Sequence, residues 1–198
     1  MKITDSKSGN SFFRKTRVRI EDLSSARELT FSCYRGFKFL SSDLTRQWFV
    51  EHLDWARAEF SLDLWSYVIM PEHAHVLVYP RGNLANVGVA MGKVKEKVAR
   101  LAIEYIEVNA PEWLERITVK EGKRVRRRFW QPGGGYDRNV IEQSTLAKMI
   151  NYIHLNPVRR KLVARPEDWE WSSARWYAGI LPVVLEMDKT IPATIEVS

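Results

Sequence analysis

An α+β fold built on a ferredoxin-like antiparallel sheet flanked by helices follows from three observations on this 198-residue sequence. Short β-branched and aromatic runs alternate with long stretches of helical period. Two of those runs are separated by a short turn at Pro71-Glu72, the spacing of adjacent antiparallel strands, and no repeat or low-complexity block interrupts the pattern. With 45% hydrophobic and 12% aromatic residues, the chain can fill one compact core and has little left for a second. The expected organisation is an N-terminal extension over residues 1–26, one main domain over 27–163 and a C-terminal appendage over 164–198.

The elements follow in order. Residues 27–34 (RELTFSCY) alternate apolar and polar side chains, the mark of a strand, and Gly36 ends it. Ser41 or Ser42 can cap the next helix, in which Leu44, Trp48, Phe49, His52, Leu53 and Ala56 recur at helical spacing through Phe60. Residues 64–70 and 75–79 read as two strands joined by a short turn. Asn83 can cap a second helix over 84–108, with Val87, Met91, Val94, Val98, Leu101, Ala102 and Tyr105 on its apolar side. Residues 116–130 are rich in Val and Arg around Gly122 and read as a basic hairpin or ribbon, counted here as the fourth strand. Gly133, Gly134 and Gly135 form a hinge. A last helix buries Leu146, Met149, Ile150 and Ile153, and Pro157 is expected to stop it.

Charge narrows the function. Lys and Arg number 31 against 24 acidic residues, a formal charge of +7, which favours a polyanionic partner, nucleic acid first. Cys33 is the single cysteine, so the chain can build neither a disulfide nor a multi-cysteine zinc site, which fits a reducing cytoplasm. Residues 1–15 contain no apolar run of signal or membrane-span length. The basic segments are too short, or broken by Gly122, to lie on a lipid surface. A soluble, cytoplasmic protein with no membrane partner is expected.

The candidate chemistry begins at His73-Ala74-His75. Residues two apart on a strand point to one face, so both imidazoles project together, as a two-histidine metal site requires. An isolated pair of this kind is more often a turn residue beside a satisfied polar group. Further on, Tyr152 and Asn156 stand four apart on one helix face, with Lys148 a turn earlier and the row offset from the buried stripe. Taken alone, these too read as a boundary tyrosine and a helix-end asparagine.

Their combination is more specific. The segments Val68-Ile69-Met70-Pro71-Glu72-His73-Ala74-His75, Phe129-Trp130-Gln131-Pro132, Tyr136-Asp137-Arg138, Tyr152-Ile153-His154-Leu155-Asn156-Pro157-Val158, Pro166-Glu167-Asp168-Trp169 and Trp171-Ser172-Ser173 occur in one order. From about Thr30 to Trp176 the sequence resembles the REP-associated tyrosine transposases, relatives of the single-tyrosine HUH transposases. The resemblance implies an HUH endonuclease fold, with His73 and His75 as metal ligands, Asn156 as third ligand and Tyr152 as nucleophile. It implies a metal-dependent transposase that cuts and rejoins single-stranded DNA beside hairpins, such as REP-like repeats, through a 5′-phosphotyrosine. Mixed nitrogen and oxygen ligation suits Mg²⁺ or Mn²⁺. Lys148 and the metal are the candidates for easing loss of the tyrosine proton. Relatives occur as monomers and as homodimers that exchange the tyrosine helix, and the glycine hinge permits either. A domesticated protein that binds hairpins without cutting them is the alternative, and a replication-initiator or relaxase-type nickase is disfavoured by the short chain.

DNA contact is expected first from the ribbon, through Lys123, Arg124, Arg126, Arg127 and Arg128 together with Lys120. Lys93 and Lys97 on the second long helix, beside Lys95 and Arg100, give a second patch. Arg159 and Arg160, with Lys161, give a third. Trp130 and Tyr136 are candidates for stacking on unpaired bases, Trp130 equally for the core.

Overall fold

The structure is a computed structural model and describes residues 2–4, 11–13, 25–82, 86–133, 135–140 and 142–192. The elements are β1 (Lys2–Thr4), β2 (Ser11–Phe13), β3 (Ala26–Ser32), α1 (Asp43–Glu59), β4 (Leu62–Ile69), β5 (His73–Pro80), α2 (Val87–Asn109), α3 (Leu114–Ile117), β6 (Thr118–Glu121), β7 (Arg124–Arg127), β8 (Tyr136–Val140), α4 (Gln143–His154), α5 (Asn156–Arg159) and α6 (Ala174–Tyr177). The central sheet is antiparallel with order β4-β5-β3-β8, and β1–β2 and β6–β7 form separate two-stranded ribbons. Numbering only the strands of the central sheet, the connectivity is strand, helix, strand, strand, helix, strand with the first and third strands at the centre. That is the ferredoxin-like arrangement expected from the sequence.

The alternation that marks each strand sorts the side chains between two cores. On one face Leu29, Phe31, Ala74, Val76 and Val78 meet α1 through Phe49, Val50 and Leu53 and α2 through Met91, Val94 and Val98. On the other face Ala26, Val68, Leu77 and Val140 meet α4 through Leu146, Met149, Ile150 and Ile153, the predicted stripe. The sheet thus separates the long helices from α4. Both sides of β4 are buried, and its outer edge is covered: Trp171 O accepts from Ile69 N, Ser172 bridges Val68, and Asp188 N donates to Leu64 O.

Four details differ from the sequence expectation. The fourth strand of the sheet is β8, which begins directly after the glycine run; the 116–130 ribbon does form a hairpin, but as a sheet of its own. Tyr136–Val140 holds three polar residues among its five and gives almost no strand signal, because as an edge strand it is paired in the sheet on one side only among the described residues. The cap of α2 is Asn86, whose side chain accepts from Val89 N at 3.0 Å; Asn83 lies outside the described residues. Ser42 stands at the N-cap of α1, yet its side chain makes no capping bond. Finally, α4 ends at His154, before Pro157, and Asn156 opens α5 with Pro157 in its first turn, where a missing N–H costs nothing.

Candidate active site at the His73–His75 pair

Register brings the site together. Ser32 pairs with His73 and Thr30 with His75, and directly opposed residues share a face, so both imidazoles rise on the α4 side of the sheet. The two rings meet edge-on with centroids 5.1 Å apart. Each ring is held through Nδ1. For His73 the partner is Glu72 Oε1 at 3.2 Å. For His75 the partners are Thr30 Oγ1 at 3.0 Å and Glu28 Oε1 at 3.3 Å. A carboxylate can only accept, so it fixes the proton on Nδ1 and leaves the Nε2 lone pair of each ring for another partner. Burial foremost, and then the neighbouring His75, lower the pKa of His73, against the opposing pull of Glu72.

Tyr152 completes the cluster from α4. Its ring stands perpendicular to His75 with centroids 5.7 Å apart, and the residue is 42% exposed. The Arg159 guanidinium lies over the Tyr152 ring at 4.8 Å. One chain therefore brings His73, His75 and Tyr152 together without exchange of a helix. Asn156 is buried, and its Nδ2 donates to Tyr152 O at 2.8 Å and Ile153 O at 3.3 Å. That amide closes the carbonyl end of α4, fixes the side chain and leaves Oδ1 as its accepting atom. Lys148 is exposed. Among the described residues no group of three or more His, Cys, Asp or Glu side chains is arranged to hold a metal ion. The donors that the fold brings together are thus the two imidazole nitrogens, and the Asn156 amide oxygen, at the start of α5, is the candidate third. That set fits a divalent ion which retains open positions for phosphate oxygens.

The predicted basic residues separate into groups. Arg160 donates to Glu72 Oε1 at 2.9 Å, which ties it to the carboxylate that orients His73. The β6–β7 ribbon leads into Phe129, whose carbonyl accepts from Tyr34 N, next to Cys33 N bonded to Glu72 O. The ribbon therefore springs from the end of the sheet that carries the histidine turn. All four residues of β7 are exposed, and Arg127 pairs with Glu107 on α2. Lys93 and Lys97 do not flank the site: they lie on α2, across the sheet from it. Lys93 pairs with Glu96 at 2.8 Å, and Lys97 sits over Trp55 at 4.5 Å. Trp130 is core, 7% exposed, and donates from Nε1 to Lys95 O.

Sequence reasoning missed Glu28, Thr30 and Glu72. The alternation over 27–34 put Glu28 and Thr30 on one strand face, but only the β3–β5 register makes that face the histidine face. It also missed the buried cluster behind α4, where His154 Nε2 meets Ser173 Oγ at 2.8 Å and Ser66 Oγ at 3.2 Å. Burial pushes the His154 pKa down to about 4, so the ring is neutral.

No protein-family profile matches the chain. A chain of Haemophilus influenzae described as a REP-associated tyrosine transposase is 24% identical over 145 residues, which cover 69% of this chain and 77% of that one. A solved structure of a REP-associated tyrosine transposase bound to a REP hairpin superposes with a TM-score of 0.64 at 16% identity, covering 92% of this chain and 98% of the other. A transposase structure from Deinococcus radiodurans aligns at a TM-score of 0.42 and 17% identity over 71% of this chain and 95% of that chain. The fold is that of the first of these structures. In sequence the chain is similar to a curated REP-associated tyrosine transposase, and it shares the fold of a solved one.

Proposed function

We propose that the protein is a DNA strand transferase that cleaves and rejoins a single strand beside a hairpin through a covalent tyrosine intermediate. The observation that carries this reading is the half-exposed Tyr152 standing edge-on to His75, 5.7 Å away, beside a second imidazole. In the reaction Tyr152 Oη attacks the phosphorus in line. The new bond joins the tyrosine oxygen to the 5′ phosphate as the phenol gives up its proton, the bond from phosphorus to the 3′ oxygen breaks, and the leaving 3′ oxygen takes up a proton, so that none is gained or lost overall. Reversal by another 3′ hydroxyl rejoins the strand and consumes no water.

His73, His75 and Asn156 would hold a Mg²⁺ or Mn²⁺ ion, which when bound supplies a Lewis acid for the phosphate oxygens. The remaining groups prepare the site. Glu72, Glu28 and Thr30 hold the rings by Nδ1, and Arg159 draws positive charge over the tyrosine ring. Lys123, Arg124, Arg126 and Arg128 on the ribbon, with Arg159, would contact backbone phosphates, and the hairpin bound in the related solved structure makes a folded hairpin the natural partner.

Tyr152→Phe is expected to abolish covalent attachment to a hairpin oligonucleotide bearing a single-stranded tail in Mn²⁺, read as a shifted band on denaturing gels, while DNA affinity stays within about two-fold. A covalent product from the variant overturns the assignment. The second reading is hairpin binding without cleavage, favoured because, among the described residues, no three His, Cys, Asp or Glu side chains are arranged to hold a metal ion. Retained binding with no cleavage by the unaltered chain in Mn²⁺ selects it.

A further inference from the structure

The histidine face does not end at β3. Thr30, which touches His75, pairs on its other side with Tyr136 of β8, and Glu28 pairs with Arg138. Directly opposed residues share a face, so one row across the sheet reads Tyr136, Thr30, His75. Two inter-strand spacings put the backbone of Tyr136 about 10 Å from that of His75. β8 is the outermost strand on this side. Tyr136 is 40% exposed, and Arg138 is exposed and makes no ion pair among the described residues.

This placement is fixed. Arg27 grips Asp137 in a two-point ion pair, with Nε to Oδ1 at 2.9 Å and Nη2 to Oδ2 at 2.5 Å, and Arg27 is buried. A slip of one residue would break that pair and turn Tyr136 and Arg138 to the other face. Gly135 has φ +73°, and a β-carbon there would overlap the Thr30 carbonyl oxygen, so the chain enters β8 pressed against β3. Tyr136 and Arg138 thus stand at two successive positions of one strand face, both partly open to solvent and on the same side of the sheet as Tyr152.

We infer that Tyr136 and Arg138 form a landing platform for single-stranded DNA, Tyr136 stacking on a base next to the cleaved phosphate and Arg138 meeting the backbone phosphate beyond it. The inference rests on the strand-transfer reading of the His73–Tyr152 site. Ring stacking tolerates any base, and a cation within the same stretch neutralises the backbone, the pairing by which single strands are held without sequence readout. The phosphate opposite the histidines and the first flanking base both lie within the span from His75 to Tyr136.

The test uses the full chain carrying Tyr152→Phe, without metal, so that binding is read apart from chemistry. The probe is a dT12 oligonucleotide with one 5-iododeoxyuridine. Photocross-linking followed by peptide mass spectrometry is expected to mark Tyr136. Fluorescence anisotropy with labelled dT12 is expected to show about ten-fold weaker binding for Tyr136→Leu and binding within two-fold for Tyr136→Phe. Arg138→Gln is expected to flatten the dependence of affinity on salt. Circular dichroism identifies a Leu variant that fails to fold, and the cross-link on Tyr136 then decides alone. Cross-links confined to other residues, or Tyr136→Leu binding dT12 as tightly as Tyr136→Phe, overturn the platform. The covalent-attachment assay on the unaltered chain is separate: adduct formation without a platform leaves the strand-transfer reading standing, and a platform without adduct formation does the reverse.

Discussion

At the scale of single residues, the site is ordered by carboxylates, of which Glu28 lies outside the motif that contains the histidines. Glu28 is 4% exposed, and its one hydrogen bond to an imidazole fixes the orientation of His75. Outer partners of ligating histidines typically contribute 10- to 100-fold in metal affinity. Glu28→Gln is therefore expected to weaken Mn²⁺ binding by about ten-fold or more by calorimetry, with the fold preserved by circular dichroism; unchanged affinity removes Glu28 from the site. His154 makes a second, opposite statement. Its pKa is about 4 in the fold against about 6.5 for a free imidazole, so between those values the unfolded chain binds the additional proton and stability falls as pH falls. About 2 kcal/mol should be lost between pH 7 and pH 5, seen as a lowered Tm, and His154→Gln should show a flatter profile. The histidine pair and the tyrosine that the fold brings together were legible as residue types at fixed spacings. Their supports were not, because Glu28 and Thr30 reach the pair from a strand that is remote in sequence and adjacent only through register.

At the scale of elements, β8 is where sequence and structure part. Periodicity finds strands that bury one face against a core, and it found the ones that do. A five-residue edge strand with Asp137, Arg138 and Asn139 at its middle carries no such signal, while the Val- and Arg-rich ribbon imitates one. What specifies β8 is the Arg27–Asp137 pair and the bare α-carbon at Gly135, two contacts invisible to periodicity. Gly135→Ala is accordingly expected to cost at least about 2 kcal/mol, since it adds both a strained positive φ and an overlap with Thr30. The measurement is chemical denaturation against Gly133→Ala, which shares the positive φ but meets no neighbour. Equal losses in the two variants sink the close-approach argument. Helix α4 was legible through its buried stripe, and the missed end at His154 is a matter of the Leu155 backbone, at φ −76° and ψ −5°, starting a new short helix instead of ending in coil.

At the scale of the whole molecule, a net charge of +7 gives no direction by itself, whereas the sheet does. It divides the surface into the side of the long helices and the side of the reactive residues. Contacts with DNA phosphates should follow distance from the histidine turn, from whose end of the sheet the ribbon springs, whereas Lys93 and Lys97 lie across the sheet on α2. Lys123→Ala and Arg124→Ala are each expected to lower the slope of log affinity against log salt by about 1 on a hairpin oligonucleotide, and Lys93→Ala and Lys97→Ala to leave it unchanged. A fall in slope for the α2 variants would mean that the bound hairpin wraps around the sheet.

The same division is unequal in mass. Of the buried apolar residues among those described, 25 belong to the cluster under α1 and α2 and 10 to the cluster under α4. Lifting α4 away would forfeit only the smaller cluster and leave the larger one closed. Tyr152 therefore rides on the more easily detached lever of the molecule, and His73 and His75 ride on the anvil.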